Sequence, residues 1–131
     1  MKWSIRTTIT LVALVFMTTS AQTPRLSRVM REKLDHSKAI LGAVVTSDWT
    51  TLDRESRALT LATHDPAWVA QLAAPEYLKQ SDAFQRSLQA LVEASAKRDL
   101  EAAGNAEVAL TKACVDCHRH VTGRRVADTT P

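Results

Sequence analysis

Five consecutive residues near the end of the sequence, Cys114-Val115-Asp116-Cys117-His118, carry side chains well suited to chemistry. Two cysteines followed directly by a histidine at this spacing form a C-x-x-C-H motif, the attachment signature of c-type haem. The thiols can form thioether bonds with two vinyl groups on one edge of the ring, and the imidazole can then bind the iron. On a helix, which turns about 100° per residue, Cys114, Cys117 and His118 share one face. The sequence therefore predicts one covalent haem c, attached to Cys114 and Cys117, with His118 as the proximal iron ligand.

The two cysteines are also compatible with three other interpretations: a structural disulfide, half of a zinc site, and a thioredoxin-like redox pair. Zinc would need further ligands, for which the sequence offers His36, His64 and His120. A redox pair is typical of a strand-to-helix turn, and the sequence shows no strand pattern. Haem is favoured because it accounts for both the histidine and the export signal.

Residues 1–21 have the three parts of a secretory signal peptide. Lys2 and Arg6 make the first part basic, an apolar run covers residues 9–17, and small residues end at Ala21. The apolar run is shorter than the about 20 residues that a membrane span needs. We therefore expect a periplasmic protein with no membrane span after cleavage near Ala21. Export agrees with the motif, because bacterial systems attach haem c outside the cytoplasm.

Composition indicates one helical domain, covering residues 22–131. Three glycines, four prolines and many alanine, leucine and long charged residues favour helices. Cleavage would remove Lys2 and Arg6 and lower the formal net charge from +3 to +1. A charge so close to zero gives no reason to expect nucleic-acid binding.

Apolar residues at three- and four-residue spacing predict four amphipathic helices, at 24–46, 49–63, 76–97 and 100–121. The predicted inward stripes are Leu26, Met30, Leu34, Ser37, Leu41 and Val44; Trp49, Leu52, Ser56 and Leu59; Tyr77, Ser81, Phe84, Leu88, Leu91 and Ser95; and Leu100, Ala103, Glu107, Leu110, Cys114, Cys117 and Val121. Gly123 predicts the end of the last helix, followed by a loose tail from Arg124. With one longer crossover at 64–76, this pattern predicts an all-α, antiparallel four-helix bundle.

An exported four-helix chain with C-x-x-C-H near its C-terminus resembles the class II c-type cytochromes, which include the cytochrome c′ proteins and their low-spin relatives. The resemblance covers the whole mature chain and depends on Cys114, Cys117, His118 and Met30. In this family the first helix supplies the distal side of the haem. An apolar side chain there leaves a five-coordinate iron that binds NO or CO, whereas a methionine becomes the sixth ligand. Met30, the only methionine after the signal peptide, is similar to that ligand; packing is the alternative role.

The family also tends to carry an aromatic residue three positions after the motif histidine. This chain has Val121 at that position. The resemblance therefore implies that an aromatic wall against the ring is either missing or supplied by Trp68, Tyr77 or Phe84.

The resemblance implies an electron carrier, not an enzyme, that passes single electrons to redox partner proteins through a His118/Met30 haem. A five-coordinate protein that binds NO or CO is the alternative, and a homodimer through the first two helices is a further implication. A peroxidase-like enzyme would need a distal base and an arginine, but His36 and Arg28 lie off the apolar stripe.

Other polar side chains have weaker predicted roles. His64 in the crossover could reach the distal side, and His120 should point away from the iron. Four arginines could pair with haem propionates: Arg28, Arg119, Arg124 and Arg125.

Overall fold

The computed structural model describes residues 22–128, with side chains at 25–121 and 123, and all its regular elements are helices. The four long helices are α1 (Gln22–Thr46), α2 (Trp49–Ala62), α4 (Pro75–Lys97) and α5 (Leu100–Asp128). The crossover contains a short helix α3 (Pro66–Val69) and a 3-10 turn (Ala70–Ala73). The predicted all-α fold is confirmed. The predicted signal peptide at 1–21 lies outside the described residues.

Side-chain caps set the starts of two long helices. The backbone N–H of Thr51 donates to Asp48 over 3.0 Å at the start of α2. The backbone N–H of Ala102 donates to Asp99 over 3.0 Å at the start of α5, and aspartate is a residue type that favours this N-cap position. Arg98 ends α4 in the left-handed conformation, with a φ of 53°. The α4–α5 connection is therefore only two residues long.

The last helix is longer than the sequence predicts. Helix α5 runs through Gly123 to Asp128, so the predicted stop at Gly123 and the loose tail from Arg124 are wrong up to Asp128. Gly123 does not have the positive φ that a glycine stop uses. A glycine inside a helix costs only about 1 kcal/mol relative to alanine, which the rest of the helix can tolerate.

The four long helices pack in a cycle, in which α1 contacts α2, α2 contacts α4, α4 contacts α5, and α5 contacts α1. Their shared core is formed mainly by aliphatic side chains, with Ile40, Leu52, Leu59, Leu88, Leu91 and Leu110 fully buried. A second, smaller cluster of Val29, Ala67 and Trp68 joins α1 to α3. No helix in the described range is both long and apolar enough to cross a membrane.

The buried face of α1 is rotated from the predicted stripe. Leu34 is 54% exposed and Leu41 is also exposed, whereas Val29 and Ile40 are fully buried. Leu100 of the α5 stripe is likewise exposed. In α1 the buried residue is in each case one position earlier, Lys33 before Leu34 and Ile40 before Leu41, and a shift of one residue rotates the face of a helix by about 100°. Leu100 is the first residue of α5, and the next residues of that stripe, Ala103 and Leu110, are buried as predicted. In α2 and α4 the predicted stripes are confirmed as buried or partly buried.

Two leucines of α2 provide a matched test of this core. Leu59→Ala should lower the free energy of unfolding by about 2–5 kcal/mol, because it leaves a cavity in a fully packed site. Leu61 is 72% exposed, so Leu61→Ala should change the free energy of unfolding by about 0.5 kcal/mol or less. Urea denaturation followed by circular dichroism measures both. Equal losses would contradict the assigned core.

Candidate functional site

A cavity of about 480 Å³ lies between α1, the crossover, α4 and α5. Its volume is in the range of about 300–1,000 Å³ that is common for ligand sites. Cys114, Cys117 and His118 line it from α5, and Met30 lines it from α1. The structure thus brings all four predicted haem residues to one cavity.

The motif lies well inside helix α5, so its spacing places the two thiols and the imidazole on one wall. Both cysteines are half-buried, and no disulfide joins them. Burial raises the pKa of the Cys114 and Cys117 thiols, and the nearby Lys33 ammonium partly opposes the rise. Redox C-x-x-C pairs have lowered thiol pKa values, often at a helix N-terminus. The geometry therefore disfavours the thioredoxin-like interpretation.

The α1 wall contains most of the stripe that the sequence predicted to face the core. Leu26, Met30, Leu34 and Ser37 line the cavity, although Leu34 is largely exposed. Met30 is half-buried and also packs against the small cluster around Trp68. The stripe thus identified the cavity-facing side of α1 instead of its helix-packing side.

Aromatic side chains form another part of the lining. Trp68 from α3 and both Tyr77 and Phe84 from α4 line the cavity, together with Val121 of α5. The sequence predicted that Trp68, Tyr77 or Phe84 could supply an aromatic wall, because position 121 carries a valine. All three line the cavity.

Lys33 is the only charged residue of the lining that the structure describes, and sequence analysis missed it. Its side chain is only 9% exposed, and its Nζ atom lies 3.6 Å from the centroid of the Trp68 ring and 3.9 Å from that of Phe84. Position 33 continues the three- and four-residue spacing between Met30 and Ser37, and this signal could have identified it. The stripe was instead continued through the apolar neighbour Leu34.

Burial lowers the pKa of Lys33 to about 8, and the nearby Cys114 and Cys117 thiols oppose the lowering. This shift corresponds to about 3 kcal/mol against the charged form. The two aromatic rings offset part of the desolvation of the ammonium, because such contacts contribute up to about 2 kcal/mol each when buried. Among the described side chains, no carboxylate lines the cavity to offset the rest.

The lowered pKa predicts a pH-dependent stability in the haem-free chain. Because the pKa of Lys33 is about 8 when folded and 10.5 in its ordinary state, the unfolded chain binds more protons between these values, and stability rises with pH. With both cysteines replaced by alanine, we expect the free energy of unfolding to rise by up to about 3 kcal/mol across this window. Lys33→Met should remove this rise. Urea denaturation below pH 8 and near pH 10.5 measures the free energy of unfolding at the two ends of the window.

Lys38→Met is the control for this measurement, because Lys38 is an exposed lysine of the same helix that pairs with Asp35 over 3.3 Å. It should leave the rise unchanged. The alanine background is needed because the thiols titrate in the same range with the opposite sign. A rise that persists in Lys33→Met would contradict the prediction.

The other histidines do not line the cavity. His36 Nδ1 lies 2.7 Å from Glu55 Oε2 and joins α1 to α2, and this hydrogen bond contributes most to the lowered pKa of Glu55. His64 is exposed, with Nδ1 3.1 Å from the Thr60 carbonyl oxygen. The ring of His120 makes an edge contact with Tyr77, with centroids 5.9 Å apart. The suggestion that His64 reaches the distal side is therefore not supported.

The zinc alternative has no site in the described part of the chain. No group of three or more His, Cys, Asp and Glu side chains within it could hold a metal ion. The cysteine pair is thus without the second pair of ligands that a structural zinc site requires.

Two of the four arginines predicted to pair with haem propionates, Arg28 and Arg119, have described side chains. Arg28 is exposed and pairs with Glu32 over 3.6 Å and with Asp65 over 3.7 Å. Arg119 is exposed, and neither arginine lines the cavity. The side chains of Arg124 and Arg125 lie outside the described residues.

The cavity residues fit a covalently attached haem. One wall carries two thiols and an imidazole, the facing helix carries a thioether, and most of the remaining lining is apolar or aromatic. In addition, the buried indole Nε1 of Trp68 has no hydrogen-bond partner among the described residues. A buried donor of this kind usually has an acceptor, which a bound group can provide.

Comparisons of this chain with family models, with curated proteins and with solved structures found no match, so its assignment depends on its own residues.

Proposed function

We propose that this chain is an exported, periplasmic mono-haem c-type cytochrome that carries single electrons, and that its helices form an antiparallel four-helix bundle of the class II type. One observation carries the proposal: the C-x-x-C-H motif and Met30 line the same cavity from different helices. If these residues only packed against one another, their side chains would fill the space between them instead of surrounding an apolar cavity of this size.

Each residue has a specific role in this proposal. Cys114 and Cys117 hold the haem covalently, since each thiol adds across a vinyl group, with sulfur bonding to one carbon and hydrogen to the other. His118 of α5 and Met30 of α1 would hold the iron, since both line the cavity. When bound, haem supplies reversible one-electron chemistry. A methionine thioether in place of a second histidine raises the reduction potential.

The remaining lining residues support electron transfer without acid–base chemistry. The apolar and aromatic walls exclude water from the ring, and helix α5 holds the imidazole on a rigid element. Leu34 and Val115 line the cavity and are about half exposed, so they mark where the cavity meets solvent. Redox partner proteins would approach at this opening, because electron transfer needs a short path to the ring.

The direct test is to purify the chain after export from a host that matures c-type cytochromes. We expect the mass of the chain without its signal peptide plus one haem, a low-spin spectrum in both oxidation states, and a one-electron redox titration. A mass equal to that of the bare chain would refute the proposal.

A second candidate function is binding of NO or CO at a five-coordinate iron. It is favoured by the packing of Met30 against the Val29–Trp68 cluster, which is ordinary behaviour for a core methionine. The two functions differ in the ferric spectrum, because only methionine ligation gives the sulfur-to-iron charge-transfer band. Rapid CO binding by the ferrous protein would favour the second function.

A haem peroxidase is less well supported. Such an enzyme needs a base and an arginine at the distal side. His36 is engaged with Glu55, Arg28 is engaged with Glu32 and Asp65, and neither residue lines the cavity. We therefore propose a carrier instead of an enzyme.

A further inference from the structure

We infer that Lys33 and Trp68 form a carboxylate-binding subsite within the cavity and that a propionate of the haem occupies it. This inference rests on the proposed function, because it assigns a partner to residues of the same cavity. The subsite consists of the ammonium of Lys33 and the indole N–H of Trp68.

The first argument is the unbalanced charge of Lys33. Long lysine side chains normally carry their ammonium to solvent, but here the side chain is only 9% exposed and Nζ lies over the rings of Trp68 and Phe84. Buried charges in proteins are usually paired. Lys33 is the only lysine or arginine among the cavity-lining residues, and none of the lining residues that the structure describes is acidic.

The second argument is the unsatisfied donor of Trp68. The Trp68 side chain is buried, and its Nε1 atom has no hydrogen-bond partner in the described part of the chain. Because Lys33 Nζ lies 3.6 Å from the centroid of the same indole ring, the two donors are close neighbours. A carboxylate has two oxygens and can accept from both donors.

The two thiols do not balance the charge of Lys33. Burial raises the pKa of Cys114 and Cys117, so both are neutral near pH 7, and thioether formation removes their acidic protons altogether. Haem carries two propionates, and either can supply the negative charge that the described lining residues lack. An ion pair between a propionate and Arg28 or Arg119 would be less stabilising, since both arginines are exposed to solvent.

The test compares porphyrins with and without carboxylates in the full-length chain after export, with Cys114→Ala and Cys117→Ala preventing attachment. The probes are metal-free protoporphyrin IX and its dimethyl ester. The ester lacks both carboxylate charges, and the absence of a metal from both probes excludes any effect of iron ligation. Binding is measured by quenching of tryptophan fluorescence. We expect the ester to bind about tenfold more weakly or worse, as for loss of a buried charged hydrogen bond.

Three variants assign this difference to Lys33. Lys33→Met should bind the acid and the ester about equally, Lys33→Arg should keep the preference, and Lys38→Met should behave as the parent chain. An equal affinity of the parent chain for both porphyrins would overturn the inference while leaving the proposed function intact. Binding of neither porphyrin would also overturn the inference, whereas the proposed function is tested separately by the mass of the exported chain.

A second measurement uses the matured protein and does not depend on the folding of the haem-free chain. Loss of the buried cation should favour the ferric state, so Lys33→Met should shift the ferric-to-ferrous ratio at a fixed potential about tenfold, which is about 59 mV for one electron. Lys38→Met should leave the ratio unchanged. An unchanged potential in Lys33→Met would contradict the inference, since Lys33 would then be remote from the ring. A change in the iron ligands on removal of Lys33 would also contradict it, since Lys33 would then be bound to the iron.

Discussion

Replacing both Cys114 and Cys117 with alanine is expected to abolish covalent haem attachment completely. These are the only two cysteines in the sequence, and both line the cavity from α5. Each single variant should retain at most one thioether bond and should accumulate less haem protein. Mass spectrometry of the exported chain, together with haem staining after denaturing electrophoresis, measures the loss.

Val115→Ala is the matched control for the cysteine variants. Val115 lies between the two cysteines, lines the same cavity and is about half exposed. Its truncation leaves both thiols and His118 in place, so attachment should continue. Haem that remained bound to the double alanine variant after denaturation would show that the attachment site lies elsewhere.

Replacing Met30 with alanine should convert a six-coordinate iron into a five-coordinate one. We expect loss of the sulfur-to-iron charge-transfer band in the ferric spectrum, faster CO binding in the ferrous state, and a lower reduction potential. A fall of about 0.1 V or more is reasonable within the ~0.8 V range over which axial ligands set haem potentials. Absorption spectra and potentiometric titration of the matured protein measure these changes.

Leu34→Ala is the control for the methionine variant, because Leu34 lines the same wall one turn further along α1. It should preserve the spectrum of the parent protein. If Met30 only packs, Met30→Ala would also preserve that spectrum and would instead lower the free energy of unfolding by about 2 kcal/mol. That outcome would favour the NO- or CO-binding function.

The sequence predicted the helices better than their faces. Asp48 and Asp99 are local caps that need no tertiary information, and both cap α-helices in the structure. The α1 stripe was wrong at Leu41, where the adjacent apolar residue Ile40 is buried instead, and at Leu34, where the buried neighbour is the lysine Lys33. The rotation of a helix is set by the elements packed against it, which hydropathy spacing does not show. The predicted helix end at Gly123 was wrong for a similar reason, since the φ of a glycine depends on whether the following residues continue the helix.

The cavity was predictable from its covalent chemistry but not from its electrostatics. The spacing of Cys114, Cys117 and His118 is enough to place them on one face, whereas Met30 was implied by the resemblance to class II cytochromes. Lys33 was missed because hydropathy patterns assign a lysine to the surface by its type. Its burial becomes evident only when Trp68 and Phe84, from two other elements, are brought against it.

The division of the apolar interior into two clusters has a consequence for the two sides of the cavity. The larger cluster joins all four long helices, whereas the smaller one ties only the start of α1 to the crossover. Cys114 packs against the edge of the larger cluster, whereas Met30 packs against the smaller one. The two sides of the cavity are thus supported by different clusters, and a substitution that loosens the smaller cluster should displace Met30 while leaving Cys114 supported.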